Sequence, residues 1–500
     1  MPIHIQKLME DSGVGFGTSG ARGLAEAMTD RVCYAYTRGF LQHLESIGEL
    51  RGGERVAIAG DLRPSTDRII AAVRRGAADA GYRPVLCGKL PSPAIALYGI
   101  TEGIPAIMVT GSHIPADRNG IKFNKRTGEI LKGDEAGIRA QVVAVDDALF
   151  GPQGRFLAAD ARSVETSDAA RRGYLARYRE FFPSGCLKGL RLGVYQHSAV
   201  GRDLLLEIVR GLGAEAVVLA PSEEFIPVDT EAIRPEDVKL ARHWASRHQL
   251  DAILSTDGDS DRPLLADERG EWLRGDVAGI LCARFLAADA VITPVSCNSA
   301  VDKCGWFAEV RRTRIGSPYV IEAMLEAIAA GRRRVVGYEA NGGFLTGTDL
   351  ILDGRTLGAL PTRDAVLLLL GVLLLAHREG RPVSALATDL PARYTASDRL
   401  QEFPLPSSRA VLARFETGDP DADRAAAEAL FGSLCGTLTA VDRTDGVRMT
   451  FDSGEVVHLR PSGNAPEFRC YNEAASLDRA AELNAACLAV LEGLRAERGG

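Results

Sequence analysis

Six consecutive residues, Asp257-Gly258-Asp259-Ser260-Asp261-Arg262, place three carboxylates at i, i+2 and i+4 and set an arginine directly after them. Three anions this close repel one another unless a cation lies among them, and such hard oxygen donors suit one divalent ion, Mg²⁺. Gly258 gives the backbone freedom to turn so that Asp257, Asp259 and Asp261 converge. The apolar run 251–255 reads as a buried strand, which puts the acidic loop at a strand's C-terminal end, where open α/β sheets bind ligands. A second set, Thr110-Gly111-Ser112-His113-Ile114-Pro115, follows the apolar stretch 104–109. It joins a hydroxyl nucleophile, Ser112, to an imidazole, His113, and serine needs a base or a metal to become reactive. Near the other end, Arg460-Pro461-Ser462-Gly463-Asn464 combines a guanidinium fork, a hydroxyl, an amide and a backbone with exposed N–H groups, a composition that suits phosphate. Phe16-Gly17-Thr18-Ser19-Gly20-Ala21-Arg22-Gly23 has the make-up of an anion cradle as well. Taken singly, these segments have ordinary alternatives: a solvated acidic turn, a serine capping a helix, a Pro-Gly turn.

Together the four segments resemble the α-D-phosphohexomutase family, which includes phosphomannomutases, phosphoglucomutases and phosphoglucosamine mutases. A fifth segment in the family's order, Gly337-Tyr338-Glu339-Ala340-Asn341-Gly342-Gly343, is similar to its sugar loop, so that the resemblance spans about residues 11–475. The resemblance implies an isomerase that carries the phosphoryl group on Ser112 and passes it through a bisphosphorylated sugar. By position, Asp257, Asp259 and Asp261 match the Mg²⁺ ligands, with the phosphorylated Ser112 as a further ligand. Arg262 matches an arginine beside the phosphoserine. Arg22, Lys122 and His113 match groups around the reacting serine, the first two being candidates for proton handling. Glu339, with Asn341 beside it, matches the residue that grips sugar hydroxyls. Arg460, Ser462, Gly463 and Asn464 match the loop that holds the phosphate not being transferred, and Thr18 and Ser19 fall in the N-terminal substrate loop. The chain is most like the bacterial phosphomannomutases, which implies interconversion of mannose 6-phosphate and mannose 1-phosphate with a hexose 1,6-bisphosphate as activator. Glucose, glucosamine or N-acetylglucosamine phosphates are the alternative substrates, and a sugar-phosphate binder without turnover is the alternative of another class.

The departures from the family pattern bear on substrate. Ile114 stands where the family has Asn, Ser260 where it has Gly or Ala, and Asn464-Ala465 where it has Thr-Glu. In the sugar loop Asn341 replaces a serine and Gly343 an imidazole. Loss of the imidazole is expected to open space beside the sugar, for an axial C2 hydroxyl or for an acetamido group that the Asn341 amide would recognise.

These loops need a scaffold to hold them. Three stretches repeat apolar strand, glycine-bearing loop, amphipathic helix: strands at 55–60 and 84–87 around a helix at 67–80; strands at 190–195 and 216–219 around 201–212; strands at 290–295 and 334–337 around 319–330. That alternation argues for α/β domains with mostly parallel sheets. A hairpin over 446–459 and a helix over 476–495 mark a C-terminal α+β domain. The family has four domains, three of αβα type with mixed, mostly parallel sheets and a C-terminal one of α+β type. They are expected over 1–155 with the serine loop, 156–268 with the acidic loop, 269–388 with the sugar loop and 389–500 with the phosphate loop. The net charge of −7 over 500 residues argues against nucleic acid as partner. The longest apolar run, 365–376, is too short to span a bilayer and reads as a buried helix. The N-terminus has no apolar signal core and the nine cysteines are scattered, so a cytoplasmic protein with reduced thiols is expected. Small phosphosugars are the expected partners, and the expected state is a monomer or weak dimer.

Overall fold

The computed structural model of the chain describes residues 2–17, 20–462 and 466–499. It divides into two compact units, Met1–Val291 with Gly316–Leu386, and Ile292–Ile315 with Ala387–Gly500.

Within the first unit, the N-terminal sheet runs Glu165–Thr166, Arg83–Lys89, Arg55–Gly60, Ala106–Val109, Arg118–Lys125, Gly20–Leu24, Gly15–Phe16. Its first four strands are parallel and its last three antiparallel. The helix Thr66–Asp79 connects two of the parallel strands, as the alternating pattern predicts. A second sheet orders Glu215–Pro221, Arg191–His197, Ala252–Thr256 and Pro263–Ala266, again parallel until an antiparallel last strand. Further along, Val335–Tyr338 pairs antiparallel with Phe344–Thr346. The expected mixed sheets are therefore present, and the antiparallel strands have one cause in common. Each site loop of this unit joins a strand to a neighbour that runs back beside it. Thr256 pairs with Pro263 across the acidic loop, Tyr338 with Phe344 across the sugar loop, and Val109 with Ile121 across the serine loop. The serine loop therefore leads into a strand and not a helix, which excludes Ser112 as a helix cap.

The apolar run 365–376 forms the helix Ala365–Glu379, with every residue from Ala365 to Ala376 buried. It is hydrophobic all round because it lies inside the unit. No helix among the described residues is long and apolar enough to cross a membrane. All nine cysteines are free thiols, seven of them buried.

The second unit holds a five-stranded antiparallel sheet, Tyr394–Leu400, Phe468–Ala474, Val456–Pro461, Val447–Phe451 and Leu438–Asp442. The helices Pro420–Cys435 and Leu477–Gly499 belong to this unit, whose core includes Phe415, Phe431, Phe451, Phe468 and Leu491. This is the α+β segment that the hairpin and terminal helix predict.

Helix Ala365–Glu379 supplies a direct check on the core of the first unit. Leu370 is fully buried. Leu370→Ala should lower the stability of that unit by about 2–5 kcal/mol, read as a drop in the urea midpoint.

Candidate active site

The acidic loop is closed by its own backbone. Asp257 N–H donates to the Arg262 carbonyl at 3.0 Å and Ser260 N–H to the Asp257 carbonyl at 3.1 Å. Asp257 Oδ1 accepts from the N–H groups of Asp261 and Arg262 at 3.2 and 3.1 Å. Asp257, Asp259 and Asp261 are fully buried, and one ligand atom from each lies within 4.8 Å of the others. The left-handed residue of the loop is Ser260, φ 57°, and not Gly258. A Cβ on Gly258 would sit 2.7 Å from the Ser112 carbonyl oxygen. Gly258 is needed for close approach between the acidic and serine loops, not for the turn itself. Ser260, where the family has Gly or Ala, is compensated: its Oγ accepts from Gly201 N–H at 2.9 Å and from Thr256 Oγ at 2.8 Å.

Ser112 is fully buried and also left-handed, φ 56°. Its Oγ donates to Asp257 Oδ2 at 2.7 Å and lies 3.4 Å from His113 Nδ1. Such backbone strain is held only when its surroundings over-determine it. Here the clamp is Arg63, which sequence reading missed. Its guanidinium donates to the carbonyls of Ser112 at 2.7 Å, Pro115 at 2.6 Å, Arg118 at 3.0 Å and also Ile114. Asp61 anchors Arg63 Nε at 3.2 Å and takes the Thr110 hydroxyl at 2.7 Å. Gly111 is glycine because its Cβ would meet Arg63 Cζ at 2.7 Å. Ile114 is tolerated because the loop is held through main-chain carbonyls. The one sequence signal for the clamp is the charged Asp61-Leu62-Arg63 directly after a buried strand.

Cations surround the carboxylates. Lys122, on the return strand of the serine hairpin, donates to Asp259 Oδ2 and Asp261 Oδ2, both at 2.6 Å. Arg262 Nε lies 3.8 Å from Asp261 Oδ1 and 4.0 Å from Asp257 Oδ2, without a hydrogen-bond partner. Arg22 sits on Gly20–Leu24, opposite Gly120 of the return strand. Burial, then the Arg262 charge, lowers Arg22 to about 10. Burial and the Arg262 and Arg22 charges push His113 far below the usual imidazole range, so it is neutral. Ser92 and Arg363 complete the ring, and sequence reading missed both. The Ser92 hydroxyl donates to Asp259 Oδ2. Arg363 joins Asp261 Oδ2 to Glu339 Oε2, each at 3.0 Å.

This donor set fits a divalent cation. Burial, then the Asp259 and Asp261 charges, drive the Asp257 carboxyl well above the carboxylate range. Asp259 is also raised by burial, but Lys122 and its hydrogen bond more than reverse that, and Arg363 then Lys122 do so for Asp261. Asp259 Oδ1 and Asp261 Oδ1 are buried without a hydrogen-bond partner. A carboxylate oxygen left so is costly unless a cation meets it.

In the sugar loop, Glu339 and Asn341 are buried. Glu339 N–H donates to the Gly343 carbonyl at 3.1 Å, and Gly343 N–H to Asn341 Oδ1 at 2.8 Å. One expectation fails here. The space beside Gly343 is not open: a Cβ there would lie 2.4 Å from Arg363 Cδ and 2.6 Å from Cγ. The Asn341 amide oxygen is already engaged in turning its own loop.

In the second unit, Arg460 ends the strand Val456–Pro461 and pairs with Asp445 at 2.9 Å. Ser462 N–H donates to the Glu467 carbonyl at 2.9 Å, so the phosphate loop is a hairpin tip too. Thr18, Ser19, Gly463 and Asn464 lie outside the described residues.

Four family descriptions match in order: phosphoglucomutase/phosphomannomutase alpha/beta/alpha domain I over residues 13–148, domain II over 173–270, domain III over 274–394 and the C-terminal domain over 412–490. The chain belongs to the phosphoglucomutase/phosphomannomutase family of phosphohexomutases. It is 44% identical over 476 residues to the phosphomannomutase of Salmonella muenchen, covering 95% of each chain. It is 44% identical over 482 residues to that of Sinorhizobium fredii, covering 96% of this chain and 99% of the relative. Its fold matches the crystal structure of a phosphoglucomutase/phosphomannomutase family protein from Burkholderia thailandensis with a TM-score of 0.71 at 20% identity, over 96% of this chain and 97% of that one.

The left-handed backbone at Ser112 has a measurable signature. Glycine adopts that conformation without the Cβ penalty, so Ser112→Gly should be more stable than Ser112→Ala by about 1 kcal/mol, read by chemical denaturation of the two variants side by side.

Proposed function

We propose that this enzyme interconverts mannose 6-phosphate and mannose 1-phosphate in the cytoplasm, as a monomer or weak dimer, through a phosphorylated Ser112. The observation that carries the reading is the contact between Ser112 Oγ and Asp257 Oδ2 at 2.7 Å, inside a buried carboxylate triad. A binding protein has no use for a strained, buried hydroxyl aimed at a metal site. The 44% identity to two phosphomannomutases supports mannose as the sugar.

Phosphoryl transfer depends on positioning and charge neutralisation more than on covalent help. Asp257, Asp259, Asp261 and the phosphate on Ser112 would hold Mg²⁺, which supplies Lewis-acid polarisation of that phosphate. Arg262 Nε, without a hydrogen-bond partner, is placed to meet phosphate oxygens. A sugar hydroxyl attacks the phosphoserine, the P–O bond to Ser112 breaks, the hydroxyl proton passes on to Ser112 Oγ, and a bisphosphorylated sugar and free Ser112 result. The intermediate turns over and its other phosphate returns to Ser112; a hexose 1,6-bisphosphate primes the cycle in the same way. Glu339 grips ring hydroxyls in both orientations, Arg460, Ser462, Gly463 and Asn464 hold the phosphate that is not reacting, and Thr18 and Ser19 contribute to substrate binding. Arg22, lowered to about 10 by burial, and Lys122 are the basic groups available for proton handling. His113 is too weak a base to store a proton and acts as a neutral hydrogen-bonding neighbour of Oγ.

Incubation with mannose 1,6-bisphosphate should add one phosphoryl group to the wild type and none to Ser112→Ala, as read by intact mass and peptide mapping. Phosphate on another residue would overturn the role of Ser112. Turnover of mannose phosphates should exceed that of glucose and N-acetylglucosamine phosphates in kcat/KM, and the reverse order would reassign the substrate.

Asp259→Asn removes one negative ligand and keeps the side-chain size. Mg²⁺ affinity by calorimetry should weaken at least about 10-fold, and turnover should fall with it.

A further inference from the structure

Arg363 is only 2% exposed and reaches two loops and the first residue of the helix Ser317–Ala329 at once. Its Nε donates to Asp261 Oδ2 in the acidic loop, and one terminal nitrogen donates to Glu339 Oε2 in the sugar loop at 3.0 Å and to Ser317 Oγ at 3.3 Å. Its aliphatic stem lies against Gly343, where no side chain fits. Both neighbours of Arg363 are tied down: the Thr362 hydroxyl donates to Glu129, which also takes the Ser317 hydroxyl at 2.8 Å, and Asp364 accepts from Tyr174 at 2.9 Å and from Tyr178. The guanidinium is thus fixed from both sides before it meets the site.

We propose that Arg363 is a positioning residue that sets the sugar loop against the metal loop, and that it does so by occupying the volume beside Gly343 that a side chain there would need. This rests on the mutase reading of Glu339 and the triad given above. Two consequences follow from the geometry. Asp261 Oδ2 is held by Arg363 and Lys122, which leaves Oδ1, without a hydrogen-bond partner, as the oxygen that would meet a cation. Glu339, fixed through one oxygen, presents the other in a single direction, so the height of the sugar above the triad is set by one rigid fork. A compact ammonium lacks the planar fork that donates to Asp261 through Nε and to Glu339 through a terminal nitrogen, so lysine does not reproduce both contacts.

The test combines Arg363→Lys, Arg363→Ala, Gly343→Ala and the double variant Arg363→Ala/Gly343→Ala in the full-length enzyme. Arg363→Lys keeps the buried charge and is expected to fold. It should weaken Mg²⁺ binding to the unphosphorylated protein, read by calorimetry, and should raise KM for mannose 1-phosphate, each by about 10- to 100-fold. Gly343→Ala should lower kcat/KM at least 10-fold in the wild type and less than 3-fold when added to Arg363→Ala, because the clash needs the arginine stem. If Arg363→Ala does not fold, Arg363→Lys and single Gly343→Ala still decide. A purely structural arginine would lower the melting temperature and leave Mg²⁺ affinity and KM of the folded protein unchanged. That result, or a silent Gly343→Ala, overturns the proposal. Failure of the wild type to turn over mannose phosphates would instead sink the functional reading, while the Mg²⁺ arm would still report on Arg363.

Discussion

Three carboxylates within 4.8 Å of one another, all fully buried, set the terms for the rest of the first unit. At an effective dielectric of about 20, each pair at that distance repels by roughly 3–4 kcal/mol, and desolvation adds to this. No single partner offsets so much. Lys122 comes from the return strand of the serine hairpin, Arg262 from the acidic loop itself, and Arg363 from the segment that leads into the buried helix Ala365–Glu379. The fold is required to bring cations from three separate stretches of chain to one point. A cation bound among the carboxylates would complete what these residues begin.

Hairpins meet that requirement better than strand-to-helix turns do. A helix after Ser112 would carry the chain away from the site. A return strand carries it back alongside, which is how Lys122, ten residues after Ser112, reaches Asp259 and Asp261. The same device serves the acidic and sugar loops of the first unit, and the phosphate loop of the second. It also explains why the sheets are mixed. The parallel strands build the scaffold, and the antiparallel partner at the edge of each site returns the chain after the loop has done its work.

The sequence was readable where the signal is local. Period-two and helical patterning located Arg55–Gly60, Thr66–Asp79 and the C-terminal hairpin, and the i, i+2, i+4 aspartates announced the triad. What stayed hidden lies in pairings across long stretches of chain. Arg63 grips a loop about fifty residues on, Ser92 reaches Asp259, and Arg363 is about one hundred residues from Asp261. No spacing rule connects such residues. Glycines misled for a related reason: Gly343 suggested empty room and Gly258 a flexible turn, whereas each is small because another group already stands there. A missing side chain in a sequence does not reveal whether solvent, ligand or a distant arginine fills its place.

Charge balance gives the arrangement its logic. Asp257, Asp259, Asp261 and Glu339 stand against Arg22, Lys122, Arg262 and Arg363, four formal negatives against four positives. A phosphoserine brings about two negative charges and a divalent cation brings two positive ones, so the proposed resting enzyme would stay balanced once both are present. An unaccompanied phosphate would face the triad, and a cation among the carboxylates offsets it. The same balance makes the strain at Ser112 useful. With φ at 56° and its carbonyl clamped by Arg63, the serine is held at the boundary between the cations and the carboxylates. The proposed phosphate on Ser112 would therefore sit where an incoming cation meets both.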